Sequence, residues 1–247
     1  MPYQISKILA NAAVSSDVML MRTAWSEKPK PGQFFMLRMP ENSPVLLARP
    51  ISVHDWENGI LSLLYQVVGR GTGAFSRLRP GDKIGLWGPL GNGFNFPDPG
   101  KIALVGGGIG IAPLYYLAKN IPAKATAFLG YRSEPFALEN FGGFCESVKI
   151  SSESGFGGHF KGFVTELLER EIGAFKAIYC CGPTPMMKAA AELCGKYGVP
   201  AFVSLENKMA CGIGACLTCT CANSSGRHAR TCLEGPVFRA EEVFFDA

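Results

Sequence analysis

Long hydrophobic runs are missing from this chain. No stretch of its 247 residues reaches the roughly 20 apolar positions that carry a helix across a bilayer, so no membrane span is expected. The N-terminus, Met1-Pro2-Tyr3-Gln4-Ile5-Ser6-Lys7, has no basic head leading into an apolar run, and no export signal is expected either. Charge is sparse: 18% of residues are Asp, Glu, Lys or Arg, and the net charge is only +4. With no basic run, that balance gives no electrostatic reason to expect nucleic acid or a membrane surface as partner. Histidine is rare as well. His54, His159 and His228 stand alone in sequence, which argues against a histidine-built metal site. Internal repeats and low-complexity tracts are absent.

What is present is apolar bulk and sulfur. Hydrophobic residues make up 47% of the chain, enough for two domains, or one large domain with an appendage. The nine cysteines are an odd number, and with no export signal in sight they point to a reducing cytoplasm. Thiols kept reduced are available as ligands.

Four of them are spaced for that use. Cys211, Cys216 and Cys219, followed by Cys232, read C-x4-C-x2-C…C, the plant-type spacing that holds a [2Fe–2S] cluster. Thiolates are the soft ligands that iron takes, and Gly212 and Gly214 let the backbone curl and turn N–H groups toward sulfur. Three other readings compete. A four-cysteine zinc site usually pairs two short knuckles, whereas here three thiols crowd one loop. Disulfides fit poorly with a chain in which no signal peptide is seen. Scattered core cysteines would not cluster at ligand spacing. Cys145, Cys180, Cys181, Cys194 and Cys221 remain, and most are expected to be small buried hydrophobes.

The rest of the chain changes rhythm once. Residues 1–97 read as short strands, such as 18–22, 33–38, 59–68 and 83–87, separated by Pro31-Gly32, Asn58-Gly59 and Pro80-Gly81-Asp82. That pattern predicts a small antiparallel β-barrel, with one helix near 73–78. The stretch 91–100 reads as a loop or linker. From 98 to 205, the nearly continuous apolar run at 101–105 and strand candidates at 125–129, 147–151, 177–181 and 201–205 alternate with helical stretches at 111–119, 135–142, 163–172 and 184–197. Alternation of this kind predicts an α/β domain with a parallel sheet. Residues 206–247 hold the thiol loop with little regular structure, too short to fold without a staple.

Three further motifs carry chemistry. Gly106-Gly107-Gly108-Ile109-Gly110 lies where a buried strand turns into a helix, which suits a pyrophosphate but equally a tight corner. It is not a full G-x-G-x-x-G, since Ala112 and Pro113 follow. Arg132, after the second strand, suits a 2′-phosphate or plain solvent. Arg49-Pro50-Ile51-Ser52 brings a guanidinium and a hydroxyl close together, and Gly69-Arg70-Gly71-Thr72 makes a second phosphate-friendly turn; singly, each is also an ordinary strand end or turn.

Together with Gly88-Pro89-Leu90-Gly91-Asn92-Gly93-Phe94 and Cys181-Gly182-Pro183, these motifs resemble the ferredoxin–NADP reductase superfamily in order and spacing. The Met209-Ala210-Cys211-Gly212-Ile213-Gly214-Ala215-Cys216 loop narrows the resemblance to the electron-transfer subunits of class 1B dihydroorotate dehydrogenase, over essentially the whole chain. The resemblance implies FAD in the barrel, with Arg49, Pro50, Ile51 and Ser52 on flavin or its phosphates. Leu64, Tyr65 and Gln66 would follow the isoalloxazine and ribityl, and Gly71 and Thr72 the pyrophosphate. It implies NAD over Gly107, Gly108 and Gly110, with Cys181, Gly182 and Pro183 near the nicotinamide. Hydride transfer of this kind requires no protein acid or base. The implied partner is an FMN-containing catalytic subunit that oxidises dihydroorotate in pyrimidine biosynthesis, joined in a heterotetramer of two plus two. A reductase subunit of a transhydrogenase or hydrogenase complex would use the same cofactors. From a different class, a zinc-stabilised nucleotide-binding module would use none of the redox groups.

Overall fold

The computed structural model describes residues 3–39, 45–95, 100–138, 141–224, 226–243 and 245. The N-terminal part is a seven-stranded antiparallel sheet in the order β4-β3-β7-β1-β2-β6-β5. Its strands are β1 (Tyr3–Ala13), β2 (Val18–Ala24), β3 (Phe34–Arg38), β4 (Arg49–Ser52), β5 (Asp55–Glu57), β6 (Ile60–Gln66) and β7 (Lys83–Leu90), with helix α1 (Arg70–Phe75) between the last two. The edge strands β4 and β5 are joined through only Val53 and His54. Val53 N–H donates to the Gln33 carbonyl and His54 N–H to the Ser62 carbonyl, so the chain steps from one edge to the other and curls the sheet into a barrel.

Period-two alternation fills the interior. Phe35 and Leu37, then Leu61, Leu63 and Tyr65, then Ile84 and Leu86 point inward with Trp25 and Phe75. The outward set on β2, β3, β6 and β7 is also partly buried. Phe34, Met36 and Leu90 pack against Cys219 and Cys232, while Val18 and Leu64 pack against the next domain. The barrel therefore has covered outer faces, which is why β3 reads as a continuous apolar run.

That next domain is built on β8 (Ile102–Gly107), α2 (Ile111–Asn120), β9 (Ala125–Tyr131), β10 (Ser147–Ser152), β11 (Phe160–Lys161), α3 (Val164–Glu169), β12 (Ala177–Cys181), α4 (Thr184–Tyr197) and β13 (Ala201–Ser204). The strand order is β11-β10-β9-β8-β12-β13, all parallel, and the order reverses between β8 and β12. In such sheets the crevice beyond the carboxyl ends of the strands at the reversal is where ligands bind.

The C-terminal residues form the hairpin β14 (Thr220–Ala222) and β15 (His228–Arg230), then β16 (Val237–Arg239). More regular structure is present here than the sequence predicts. β16 leaves the thiol-bearing segment and pairs antiparallel with β13, at the edge of the parallel sheet.

Two helices also differ from expectation. α1 begins at Arg70 rather than near 73, because Thr72 Oγ1 accepts from the N–H groups of Val68 and Gly69 and starts the turn earlier. Among the described residues of 135–142 there is no α-helix: Pro135 opens the stretch and Ala137 is left-handed at φ +55°, leaving a single 3₁₀ turn at Phe141–Gly143. Residues 139–140 of that stretch, and 96–99 of the expected linker, lie outside the described residues.

The barrel and the parallel-sheet domain are joined by specific polar contacts. Tyr116 donates to the Pro29 carbonyl at 3.1 Å, Tyr179 to Asn95 at 3.0 Å, and Lys119 pairs with Asp55 and Glu57 at 3.1 Å. Leu104, fully buried in the middle of β8 between β9 and β12, is the centre of the sheet core. Leu104→Ala is expected to lower unfolding free energy by about 2–5 kcal/mol in urea titration, without changing the urea dependence.

Candidate functional site

Three clusters of candidate residues converge on the barrel. The first is on β4. Arg49 is anchored by donating from Nη1 to the Leu47 carbonyl at 2.8 Å, and its guanidinium lies against Gly71. A Cβ at Gly71 would stand 2.6 Å from Arg49 Nε, so only glycine permits this approach. Thr72 uses its hydroxyl to shape the turn, accepting from Val68 and Gly69, and is buried. Arg49 and the turn before α1, separate in sequence, thus form one cationic cradle of the kind that takes a pyrophosphate. Pro50, Ile51 and Ser52 are half-buried along the same strand.

On β6 the three predicted residues divide. The Leu64 side chain faces the parallel-sheet domain, and Gln66 donates to Asp17 Oδ2 at 2.6 Å. Tyr65 faces the barrel interior, where its hydroxyl meets Asn11 Oδ1 at 3.1 Å and burial pushes its pKa up to about 12. Tyr65 therefore offers a ligand its backbone and not its ring.

The second cluster lies at the strand-order reversal. The glycine loop follows β8 and Cys181-Gly182-Pro183 follows β12, so both stand at carboxyl ends flanking the crevice. They touch through backbone. A Cβ on Gly110 would come within 2.4 Å of the Cys181 carbonyl oxygen, and one on Gly107 within 2.9 Å of Pro183 Cδ. Gly182, at φ +157°, has Gly107 N 2.9 Å from where its own Cβ would be. Gly108 adopts φ +53° with open space above it. The Cys181 thiol is fully buried, and burial raises its pKa well above the ordinary value, so it stays a neutral, apolar floor.

The third cluster holds the thiols. Gly212 and Gly214 are left-handed, at φ +71° and +80°, as is Leu217 at +61°. This winding aims amides at sulfur: Gly214 N–H donates to Cys232 Sγ at 3.1 Å, and Cys216 N–H and Ile213 N–H to Cys211 Sγ at 3.4 and 3.5 Å. The thiols fall into two pairs. Cys219 and Cys232 are 3.2 Å apart and buried, and Cys216 lies within hydrogen-bonding reach of Cys211. Hydrogen bonds from Thr218 and Cys211 lower the exposed Cys216 thiol to about 6. Among the described residues, no three Cys, His, Asp or Glu side chains gather where one metal ion would sit. Four thiols from one amide-lined loop and the turn that follows it are the donor set a [2Fe–2S] cluster takes.

The loop rests directly on the barrel. A Cβ on Gly212 would lie 2.6 Å from Met36 Cγ and 3.2 Å from Leu90 Cδ1. Since β3, which carries Met36, is hydrogen-bonded to β4, a single strand separates the thiols from the Arg49–Ser52 segment. Sequence reading missed Met36 and Trp87, which line a pocket of about 420 Å³ beside Cys211, because only the tertiary contact distinguishes them from core residues. The five remaining cysteines are free thiols. Cys180, Cys181 and Cys194 are buried, and Cys145 and Cys221 half-buried.

Comparison with known proteins places this geometry. A family model described as the iron–sulfur cluster binding domain of dihydroorotate dehydrogenase B matches residues 206–244. The dihydroorotate dehydrogenase B (NAD(+)) electron transfer subunit of Clostridium acetobutylicum is 41% identical over 99% of this chain and 98% of its own length. The chain belongs to this family of electron-transfer subunits. The member from Caldanaerobacter subterraneus subsp. tengcongensis is 44% identical, covering 97% of this chain and 98% of its own. Among solved structures, a chain of an NADH-dependent reduced ferredoxin–NADP oxidoreductase, studied for flavin-based electron bifurcation, superposes with a TM-score of 0.86 at 30% identity, covering 98% of this chain and 91% of that one. The ferredoxin reductase of carbazole 1,9a-dioxygenase, at TM-score 0.69 and 19% identity, covers 80% of this chain and 66% of its own and shares the fold. Like them, this electron-transfer subunit has a reductase fold, and its iron–sulfur segment is added at the C-terminal end. No helix among its described residues is long and apolar enough to cross a membrane.

Gly212→Ala tests the close approach. A methyl group at φ +71° against Met36 is expected to cost most of the bound iron while leaving bound flavin near wild-type stoichiometry, as read by iron analysis and flavin absorbance.

Proposed function

We propose that this chain is the electron-transfer subunit of a dihydroorotate dehydrogenase in pyrimidine biosynthesis, passing electrons between an FMN-containing catalytic subunit and NAD⁺ through [2Fe–2S] and FAD. The observation that carries the proposal is the packing of Cys219, Cys232 and the Gly212 backbone on the outer face of β3, with the Arg49 cradle on the neighbouring strand β4. When bound, FAD supplies the exchange between hydride pairs and single electrons that nicotinamide and iron–sulfur chemistry require of an intermediary.

In this reading the chain's residues bind and orient. Arg49 and the Gly71–Thr72 turn hold the FAD pyrophosphate, with Pro50, Ile51, Ser52 and residues Leu64, Tyr65 and Gln66 lining its flavin end. Gly107, Gly108 and Gly110 lie under the NAD phosphates, and Cys181, Gly182 and Pro183 carry the nicotinamide, the buried thiol excluding water there. Cys211, Cys216, Cys219 and Cys232 would ligate the irons. No side chain is assigned as acid or base. The domain limits that go with this division are 1–97, 98–205 and 206–247, in the cytoplasm.

The catalytic subunit is proposed to dock over the cluster loop. Exposed Leu46, Leu47 and Tyr3 surround the pocket beside Cys211, an apolar rim that suits a subunit interface in a two-plus-two heterotetramer. A second reading, the reductase subunit of a ferredoxin-linked transhydrogenase, is favoured by the superposition at TM-score 0.86. Native pull-down from the source cell's extract separates the two. Co-purification of an FMN protein that reduces NAD⁺ with dihydroorotate supports the first, and co-purification of a ferredoxin-dependent flavoprotein without that activity replaces it with the second.

Cys216→Ser is expected to abolish the broad red absorbance of the cluster and electron delivery to the partner, while NADH-driven reduction of a two-electron dye continues near the wild-type rate. Loss of both activities would make the cluster a structural staple. Arg49→Ala is expected to weaken FAD retention by roughly ten- to hundredfold, as a charge-assisted phosphate contact of about 1.5–3 kcal/mol predicts. Fluorescence titration of the deflavinated chain measures it.

A further inference from the structure

Asn92 stands just past the end of β7, and none of the proposed cofactor contacts uses it. Its amide is committed to a distant segment that runs from just after the last cluster cysteine into the first residue of β16. Nδ2 donates to the Glu234 carbonyl at 2.8 Å and the Val237 carbonyl at 2.7 Å, and Oδ1 accepts from Val237 N–H at 3.2 Å. The Asn92 backbone N–H donates to the Gly235 carbonyl at 2.7 Å. Next to it, Gly91 at φ +80° is so close that a Cβ there would stand 2.5 Å from Pro236 Cδ. Four hydrogen bonds from one residue, about 142 positions away in sequence, make this a clamp and not a chance contact.

The clamped segment is stiff and leads directly to the cluster. Leu233, Glu234 and Gly235 all return their N–H groups to the Arg230 carbonyl, forming a tight turn around Cys232. Arg230 pairs with Glu234 and donates from Nη1 to the Gly214 carbonyl at 3.2 Å, in the loop that carries the other thiols. In the other direction the segment becomes β16 on the parallel sheet. Holding residues 234–237 at the end of β7 therefore fixes Cys232 and the Cys211–Cys216 loop relative to β3 and β4.

We infer that Asn92 is a positioning residue that sets the distance between the iron–sulfur module and the flavin-binding strands, and so the rate at which electrons cross between them. The inference rests on the cofactor assignment of the proposed function. A small displacement at a reacting centre is costly far beyond its cost in stability.

The test uses the anaerobically purified holoprotein and Asn92→Ala, with electron paramagnetic resonance of the magnetic interaction between paramagnetic flavin and reduced cluster. Expected are wild-type iron and flavin content, unchanged NADH-to-flavin reduction, a weakened magnetic interaction, and flavin-to-cluster transfer slowed about tenfold or more. Asn92→Ser, which keeps one hydroxyl donor, should recover part of both, and it carries the test by the same readouts where the alanine variant loses iron. An unchanged magnetic interaction with only a lowered melting temperature overturns the inference, making Asn92 a latch for stability. So does an equal slowing of NADH-to-flavin reduction, which would place the effect at the flavin. Absence of iron from the wild-type protein instead overturns the cofactor assignment itself.

Discussion

The contact of the Gly212 backbone with Met36 is the constraint on which the architecture depends. It requires a residue without a side chain, in a left-handed conformation, at the start of the thiol loop. It also requires a barrel strand apolar on both faces, since Phe35 and Leu37 fill the interior while Phe34 and Met36 meet the loop. An ordinary half-solvated strand would present polar side chains there and keep the loop at a distance. A sheet with two dry faces is the physical means by which a one-electron module is brought against a flavin-binding barrel without a linker between them.

Burial of the thiol pairs is uneven, and that unevenness has a chemical sense. Cys219 and Cys232 lie against the barrel, where burial pushes Cys232 up to about 12, whereas Cys216 is exposed and lowered to about 6. Cys211, the partner of Cys216 in the loop, lines the apolar pocket. Cys219 and Cys232 are thus turned toward the flavin-binding barrel, Cys211 toward the pocket and Cys216 toward solvent, giving the module an inner and an outer face.

How much of this was legible in sequence follows from the range of the interactions. The cysteine spacing was readable because ligands to a compact cluster must come from adjacent residues. The central strands of the parallel sheet were readable because burial on both faces leaves nearly continuous apolar runs, as at Ile102-Ala103-Leu104-Val105. The helix expected at 135–142 failed because Ala137 takes a left-handed conformation that alanine rarely adopts, and composition carries no sign of it. β16 is three residues long and paired only through β13, below the length at which alternation is visible. Asn92 read as a turn residue, and nothing local separates a turn asparagine from one that holds a segment far along the chain.

β16 also carries a consequence for the edge of the parallel sheet. It covers the outer side of β13, an otherwise open row of backbone donors and acceptors. Its placement rests on the Asn92 clamp and on the Arg230 carbonyl turn, both made by protein groups alone. The same short strand that ties the thiol segment to the sheet thus shields that sheet from pairing with another chain.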